Sequence, residues 1–227
     1  LFRRTINSPA FAPEFYARMT AAVSWLVDLT DGSTGEAPNL GANDGARVLA
    51  FLPTRHSDMR PTFQLGALLF AGAVLYEEAL PLSDLEMTFG TRLAGEVGAL
   101  PVRHARPRSV EVLRANDTMA MLRLPEYAFR PSQCDCLHLD IWRHHQPIVM
   151  DGGTYSYNSS LPICDELVGT RGHNTVEFDG RDQMPRVGRF LFASWPSGEV
   201  TRSSDVFSAS YRDYKGCTHR RAVSLAP

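Results

Sequence analysis

The sequence predicts an α+β chain of more than one domain, helical over residues 1–100 and built of antiparallel β-strands over 101–227. Three observations carry that division. Up to about residue 100, apolar residues recur every three or four positions, as on one face of a helix. After Pro101 they alternate or fall in short runs, the pattern of strands. Between those runs stand turn residues, as in Asn116-Asp117, Asp151-Gly152-Gly153, Asp179-Gly180 and Lys215-Gly216. Many short strands with no helical pattern between them predict a sandwich or barrel.

Taken in order, Ser8-Pro9 and Ala12-Pro13 are helix starts, because proline is tolerated in a first turn. Phe11, Phe15, Met19, Ala22, Leu26 and Leu29 form the predicted apolar stripe, and Asp31-Gly32 stops the helix. A polar loop runs to Gly45. A second helix begins near Pro61, with Leu65, Leu68, Leu69, Leu75 and Tyr76 on its buried face, and a short third helix spans Pro81 to Gly90. Strands are predicted at 110–114, 118–124, 137–142, 148–151, 174–179, 189–195, 206–211 and 219–225, with Asn116-Asp117 as a hairpin turn and His144-His145 as an exposed one. Residues 222–227 read as a strand cut before its turn. Residue 1 is Leu, and Leu1-Phe2-Arg3-Arg4 lacks the apolar core of a signal peptide, so the expectation is a segment of a longer chain. An unfinished sandwich exposes a strand edge, which predicts either further chain to cover it or a homodimer.

The composition is that of a folded globular protein: 44% hydrophobic, 21% charged, net charge −2 over 227 residues. Acids and bases are interspersed, so no basic surface points to nucleic acid, and no apolar run is long enough to span a membrane. Cys134, Cys136, Cys164 and Cys217 show no zinc-finger spacing. Cys134 and Cys136, two apart on an expected strand, point the same way, which is poor geometry for a mutual disulfide.

Three stretches concentrate ionisable groups where strands meet turns, the positions where rigid scaffolds carry function. They are 131–142 (PSQCDCLHLDIW), 150–158 (MDGGTYSYN) and 171–176 (RGHNTV). Each also has a structural reading. Asp151 before two glycines can cap a turn, His173 can be a hydrogen-bonded core histidine, Asn43-Asp44 can cap a helix, and Trp142 and Trp195 can be packing residues.

The ordered motifs HLDIW (138–142), DGGTYSYN (151–158), GHNTVEFDGRDQM (172–184) and GRFLF (188–192), preceded by PNLGANDGA (38–46) and DMRPTFQLGALLF (58–70), resemble the C-terminal half of the heparinase II/III-like family, from about Phe11 to Arg221. The resemblance implies the end of an incomplete α/α toroid followed by a partial antiparallel β-sandwich. It implies β-elimination of a uronate-containing acidic polysaccharide or oligosaccharide, with the catalytic tyrosine and the group that neutralises the uronate on toroid helices before residue 1. It also implies a metal ion, usually zinc, held by a His, an Asp and a second His. Matched motif by motif, the Asp is Asp151 and the second His is His173, and the first His falls at Gln133, where relatives read SHAD and this chain reads SQCD. Strand alternation points Cys134 and His138 away from Gln133. Substrate contacts fall to Tyr155, Asn174 and Arg171, and family habit places such proteins in the bacterial periplasm or outside the cell. A second reading stays open: with Gln at 133, the protein is a catalytically degenerate glycan binder or exopolysaccharide-assembly protein.

Overall fold

A computed structural model describes residues 6, 8–43, 55–76, 87, 95–98, 100, 109–203 and 206–226. The chain divides into two compact units, residues 1–37 with 47–105, and residues 38–46 with 106–227.

In the first unit, α1 (Pro13–Leu29) starts on its proline, and α2 (Arg60–Phe70) has Pro61 in its first turn. The buried face of α1 is Thr20, Val23, Ser24 and Leu29. This corrects the predicted stripe, for Phe11 and Phe15 are exposed and stack on each other at 4.5 Å between ring centroids. The observed face carries Thr20 and Ser24, so apolar spacing does not mark it, and Val23 packs against Gly66, where a Cβ would come within 2.8 Å of its side chain. Val23, Ala67, Ala73 and Leu100 form a common core, and full burial of a side chain such as Val23 contributes about 1.5–3 kcal/mol. Leu75 and Tyr76, predicted on the second helix, lie beyond it. The chain turns at Gly72, at φ 67°, into β1 (Ala73–Val74), which pairs in parallel with β2 (Glu96–Val97). The predicted helix at Pro81–Gly90 lies outside the described residues, Met87 apart.

The second unit is mainly antiparallel. One sheet has the order β3 (Val110–Ala115), β4 (Thr118–Arg123), β5 (Leu139–Arg143), β6 (Gln146–Val149). Its two hairpins turn on Asn116-Asp117 and His144-His145, and both histidines take positive φ, 47° and 63°, as a tight two-residue turn requires. After β6 come α3 (Pro162–Val168), a single 3-10 turn at Thr170–Gly172, and the short pair β7 (Arg186–Gly188) and β8 (Leu191–Phe192). A second sheet follows, with β9 (Ser197–Arg202), β10 (Phe207–Arg212) and β11 (Thr218–Val223) in the order β11-β10-β9. Leu122 and Leu124, at the end of β4, share one apolar cluster with Phe207, Ala209 and Tyr211 of β10 and with Cys136 and Leu137.

Three expectations are corrected. Residues 174–179 are not a strand; among them only Phe178 bridges, to Arg181. Residues 131–138 are not a strand either. A turn closes there, with His138 N–H donating to Asp135 O, and Leu137 sits at φ 55°. Strand alternation therefore does not hold across 133–138, and Cys134 and Cys136 do not share a face. Cys134 packs with Met184 and Phe192, and Cys136 with the core shared by the two sheets. All four cysteines are free thiols, and burial pushes those of Cys134 and Cys136 well up from the ordinary value.

Candidate metal centre

The centre is assembled from the ends of elements. Arg123, the last residue of β4, donates its N–H to His138 O and accepts from Leu137 N–H; its guanidinium donates to Asp135 at 2.9 Å. These bonds hang the 133–138 turn on the sheet and place His138 at the entrance to β5. Asp151 follows β6. His173 follows the 3-10 turn, where Gly172 lies against Gly152. A Cβ on Gly152 would come within 2.8 Å of Gly172 O, and one on Gly172 within 2.6 Å of the Leu167 backbone. The Gly152 N–H donates to Gly172 O at 3.1 Å. Two glycines thus let two backbones touch, and the residues beside them, Asp151 and His173, are brought together.

His173 Nδ1 lies 2.8 Å from Asp151 Oδ2. Asp151 Oδ1 accepts from Gly153 N–H at 2.6 Å and from Asn39 Nδ2 at 3.1 Å. His138 Nε2 is 2.8 Å from Asp140 Oδ2 and 3.9 Å from Asp151 Oδ2, and its Nδ1 accepts from Asn174 N–H at 3.0 Å. The rings of His138 and His173 meet edge to face, 5.6 Å between centroids. All four side chains are buried. Burial acts to raise the Asp151 carboxyl, but the hydrogen bonds from His173 and the Gly153 N–H outweigh it and hold it below the usual carboxylate value. At Asp140 burial prevails over the His138 contact and, with the Asp151 charge, holds the carboxyl above that value.

His138, Asp151 and His173 form a buried group whose donor atoms all lie within 4.8 Å of one another, and such a group can hold a metal ion. The donor chemistry fits. Imidazole and carboxylate are the ligands of zinc and related cations. The Asp151 contact assigns the His173 proton to Nδ1, leaving Nε2 as a buried nitrogen with no hydrogen-bond partner among the described residues. His138 is committed differently. The Asn174 N–H on Nδ1 assigns its proton to Nε2, which donates to Asp140. Its entry as a ligand through Nε2 would require that proton to move and the Asn174 contact to break.

The other sequence-predicted residues are placed as follows. Gln133 is buried; its Nε2 donates to Gly153 O at 3.2 Å, and its Oε1 has no hydrogen-bond partner among the described residues. Asn174 Nδ2 donates to Met150 O at 2.9 Å and Leu139 O at 3.3 Å, fastening the entrance of β5 to the exit of β6. Arg171 is exposed and pairs with Glu177 at 2.9 Å. Tyr155 is 61% exposed, at φ 64°. His138, set aside on strand alternation, belongs to the group with Asp151 and His173, because the turn at 135–138 and the positive φ of Leu137 break the alternation. Sequence reasoning also missed Asn39, whose amide reaches Asp151 from 112 positions away, and Gln183. The Gln183 side chain accepts from Cys136 N–H and donates to Cys136 O and Thr175 Oγ1. An amide that completes a remote backbone segment leaves no local sequence signal.

Residues 108–227 match the family model described as Heparinase II/III-like, C-terminal. Among curated proteins none matches the chain by sequence. Among solved structures it is similar to one titled Crystal Structure of Heparinase III, with a TM-score of 0.59 and 14% identity over 95% of this chain and 33% of that one. A heparan sulfate lyase HepC mutant from Pedobacter heparinus gives a TM-score of 0.46 at 14% identity, covering 82% of this chain and 27% of that chain. The chain thus spans about a third of the heparinase III chain it resembles in fold. With its match running through both sheets and all three segments of the buried His–Asp–His group, the chain belongs to the heparinase II/III-like family.

Proposed function

We propose that this chain is part of a polysaccharide lyase that cleaves a uronate-containing acidic glycan by β-elimination. The observation that carries the reading is the buried convergence of His138, Asp151 and His173 in a chain of this family. The core shared by β4 and β10 supports reading the second unit as part of an antiparallel β-sandwich, and the family supports reading the first as the end of an α/α toroid. Elimination needs a base for the proton beside the uronate carboxylate and a group that neutralises that carboxylate. Both are expected on residues preceding Leu1. Family habit supports a periplasmic or secreted location, and among the described residues no helix is long and apolar enough to cross a membrane. The edges of the two sheets can also serve a homodimer, which sedimentation would detect.

Asp151 and His173 would hold zinc, with His138 or the neutral amide oxygen of Gln133 completing the set. Bound there, zinc would offset the buried Asp151 charge and cross-link the turns that carry these residues. The chain's own residues then set the wall of the substrate cleft. Asp151 holds Asn39, and with it residues 39–43; Tyr155 and Arg171, both exposed, are the proposed sugar contacts, and Asn174 keeps β5 and β6 together beside them. The full-length protein, incubated with heparan sulfate, chondroitin, alginate and polygalacturonate, is expected to raise the ultraviolet absorbance of a 4,5-unsaturated product with at least one. Silence across the panel contradicts the lyase reading.

Gln133 favours a second reading, a glycan-binding protein without lyase activity, because it stands where the family His falls and its neutral amide oxygen is a weaker zinc ligand than imidazole. That reading predicts glycan binding with no unsaturated product. Gln133→His then separates loss of a ligand from loss of the site: a gain in zinc affinity shows the remaining donors intact.

A further inference from the structure

We infer that a pocket of about 450 Å³ in the second unit, lined by Phe129, Arg130, Tyr157 and Phe190 and floored by residues 40–42, is a subsite for one anionic sugar residue. The inference rests on the acidic-glycan reading and names where one uronate of that glycan sits.

The size suits a pyranose, within the ordinary range for small-ligand sites. The lining has the two chemistries an acidic sugar needs. Phe129 and Phe190 are 76% and 41% exposed, large apolar surfaces left open to water on the same pocket. Tyr157 meets Phe190 edge to face at 5.7 Å, so the aromatic wall is fixed rather than collapsed into the space. The C–H-rich face of a sugar ring is apolar and buries well against such rings, a gain of about 25 cal/mol per Å² removed from water. The charge is supplied by Arg130. Its guanidinium lies 5.8 Å from the Phe129 ring centroid, and Nη1 donates to Phe190 O at 3.0 Å, which holds it at the rim. Among the described residues it has no carboxylate partner, unlike Arg123, Arg171, Arg181 and Arg186, each paired with an acid. A positioned guanidinium with donors to spare is a carboxylate or sulfate receptor.

The floor ties this pocket to the buried centre. Ala42 N–H donates to Ser132 Oγ at 3.1 Å, Tyr157 OH donates to Ala42 O at 2.7 Å, and Asn43 N–H donates to Thr154 Oγ1 at 2.9 Å. Asn39 holds Gly41 O and Asp151 with the same amide. The His–Asp–His group therefore shapes the pocket through Asn39, and Asn39 is a positioning residue.

The test is calorimetric binding of heparan sulfate, alginate and galacturonate trisaccharides, and of their carboxyl-reduced forms, to the full-length protein and its Arg130→Ala and Phe129→Ala variants. Both side chains are exposed, so thermal midpoints should stay unchanged. The unaltered protein is expected to bind at least one acidic trisaccharide at least tenfold more tightly than its reduced form, and each variant to lose about tenfold, the loss of one charge-assisted contact or one stacked ring. Acidic binding that survives both substitutions, or no acidic binding by the unaltered protein, overturns the subsite. Lyase activity is read in parallel on the same glycans. Cleavage with unchanged binding in both variants sinks the pocket and keeps the lyase reading; binding lost in the variants of a protein that cleaves nothing sinks the lyase reading and keeps the pocket.

Discussion

At the scale of single residues, the centre depends on Gly152 as much as on the side chains that carry its chemistry. A methyl group at 152 would meet Gly172 O at 2.8 Å and Leu167 Cδ2 at the same distance. Leu167 can turn aside, but the carbonyl belongs to the backbone that delivers His173. Gly152→Ala is therefore expected to cost about 1–3 kcal/mol in urea unfolding and to weaken zinc binding, through separation of Asp151 from His173; an alanine variant of unchanged stability and zinc affinity would show that the contact is not needed. His219 offers a second test. Burial, helped by the Arg221 charge, pushes its imidazole down to about 4, and its buried Nδ1 has no hydrogen-bond partner among the described residues. The folded state favours the neutral ring, so its contribution is complete above the unfolded value of about 6.5 and is lost as pH falls from there toward about 4. Urea midpoints should drop across that window, and His219→Gln should flatten the drop; an unchanged profile would refute it. Legibility was uneven at this scale. Asp151 and His173 could be named through the family resemblance, because each sits in a matching motif, DGGTYSYN and GHNTV. His138 could not, because alternation across 133–138 presumed an extended segment that Leu137 reverses.

At the scale of elements, the legible parts were those whose pattern the core enforces. The helices at 13–29 and 60–70 carry proline in their first turn, and the hairpin at 110–123 turns on Asn116-Asp117 with the apolar run Met119–Leu122 buried. The illegible parts bury little. Strand β9, SGEVTR, is exposed along almost its whole length, so no apolar alternation marks it. Helix α3 is seven residues long and buries only Cys164, although Pro162 in its first turn was a usable signal. The β5–β6 hairpin makes a prediction of its own. His144 and His145 both adopt the left-handed conformation that Asn and Gly take most readily. Replacing them with Asn-Gly is expected to stabilise the protein by about 1 kcal/mol, read as a raised thermal midpoint. The gain is net of the exposed His144–Asp117 contact, which contributes little. A lowered midpoint would mean that the histidines do more in the turn than close it.

At the scale of the molecule, the two units follow different logics. The first is held by helix-on-helix packing around Val23 and Ala67. The second has two antiparallel sheets that share one core, with a buried polar centre beside the start of β5, the end of β6 and the 3-10 turn. A polar group of four ionisable side chains is costly to bury unless each is partnered, and here the two His–Asp contacts, the Gly153 N–H, the Asn39 amide and the Asn174 N–H provide partners. Among the described residues of the centre, His173 Nε2, Gln133 Oε1 and Asp140 Oδ1 have no hydrogen-bond partner, and each carries a lone pair that can bind a cation. The account stands on that cation. The most direct measurement is elemental analysis of the full-length protein after dialysis against stoichiometric zinc, beside its Asp151→Ala variant. The account predicts stoichiometric zinc in the unaltered protein and its loss in the variant; a protein that retains no metal, or a variant that retains as much, contradicts it.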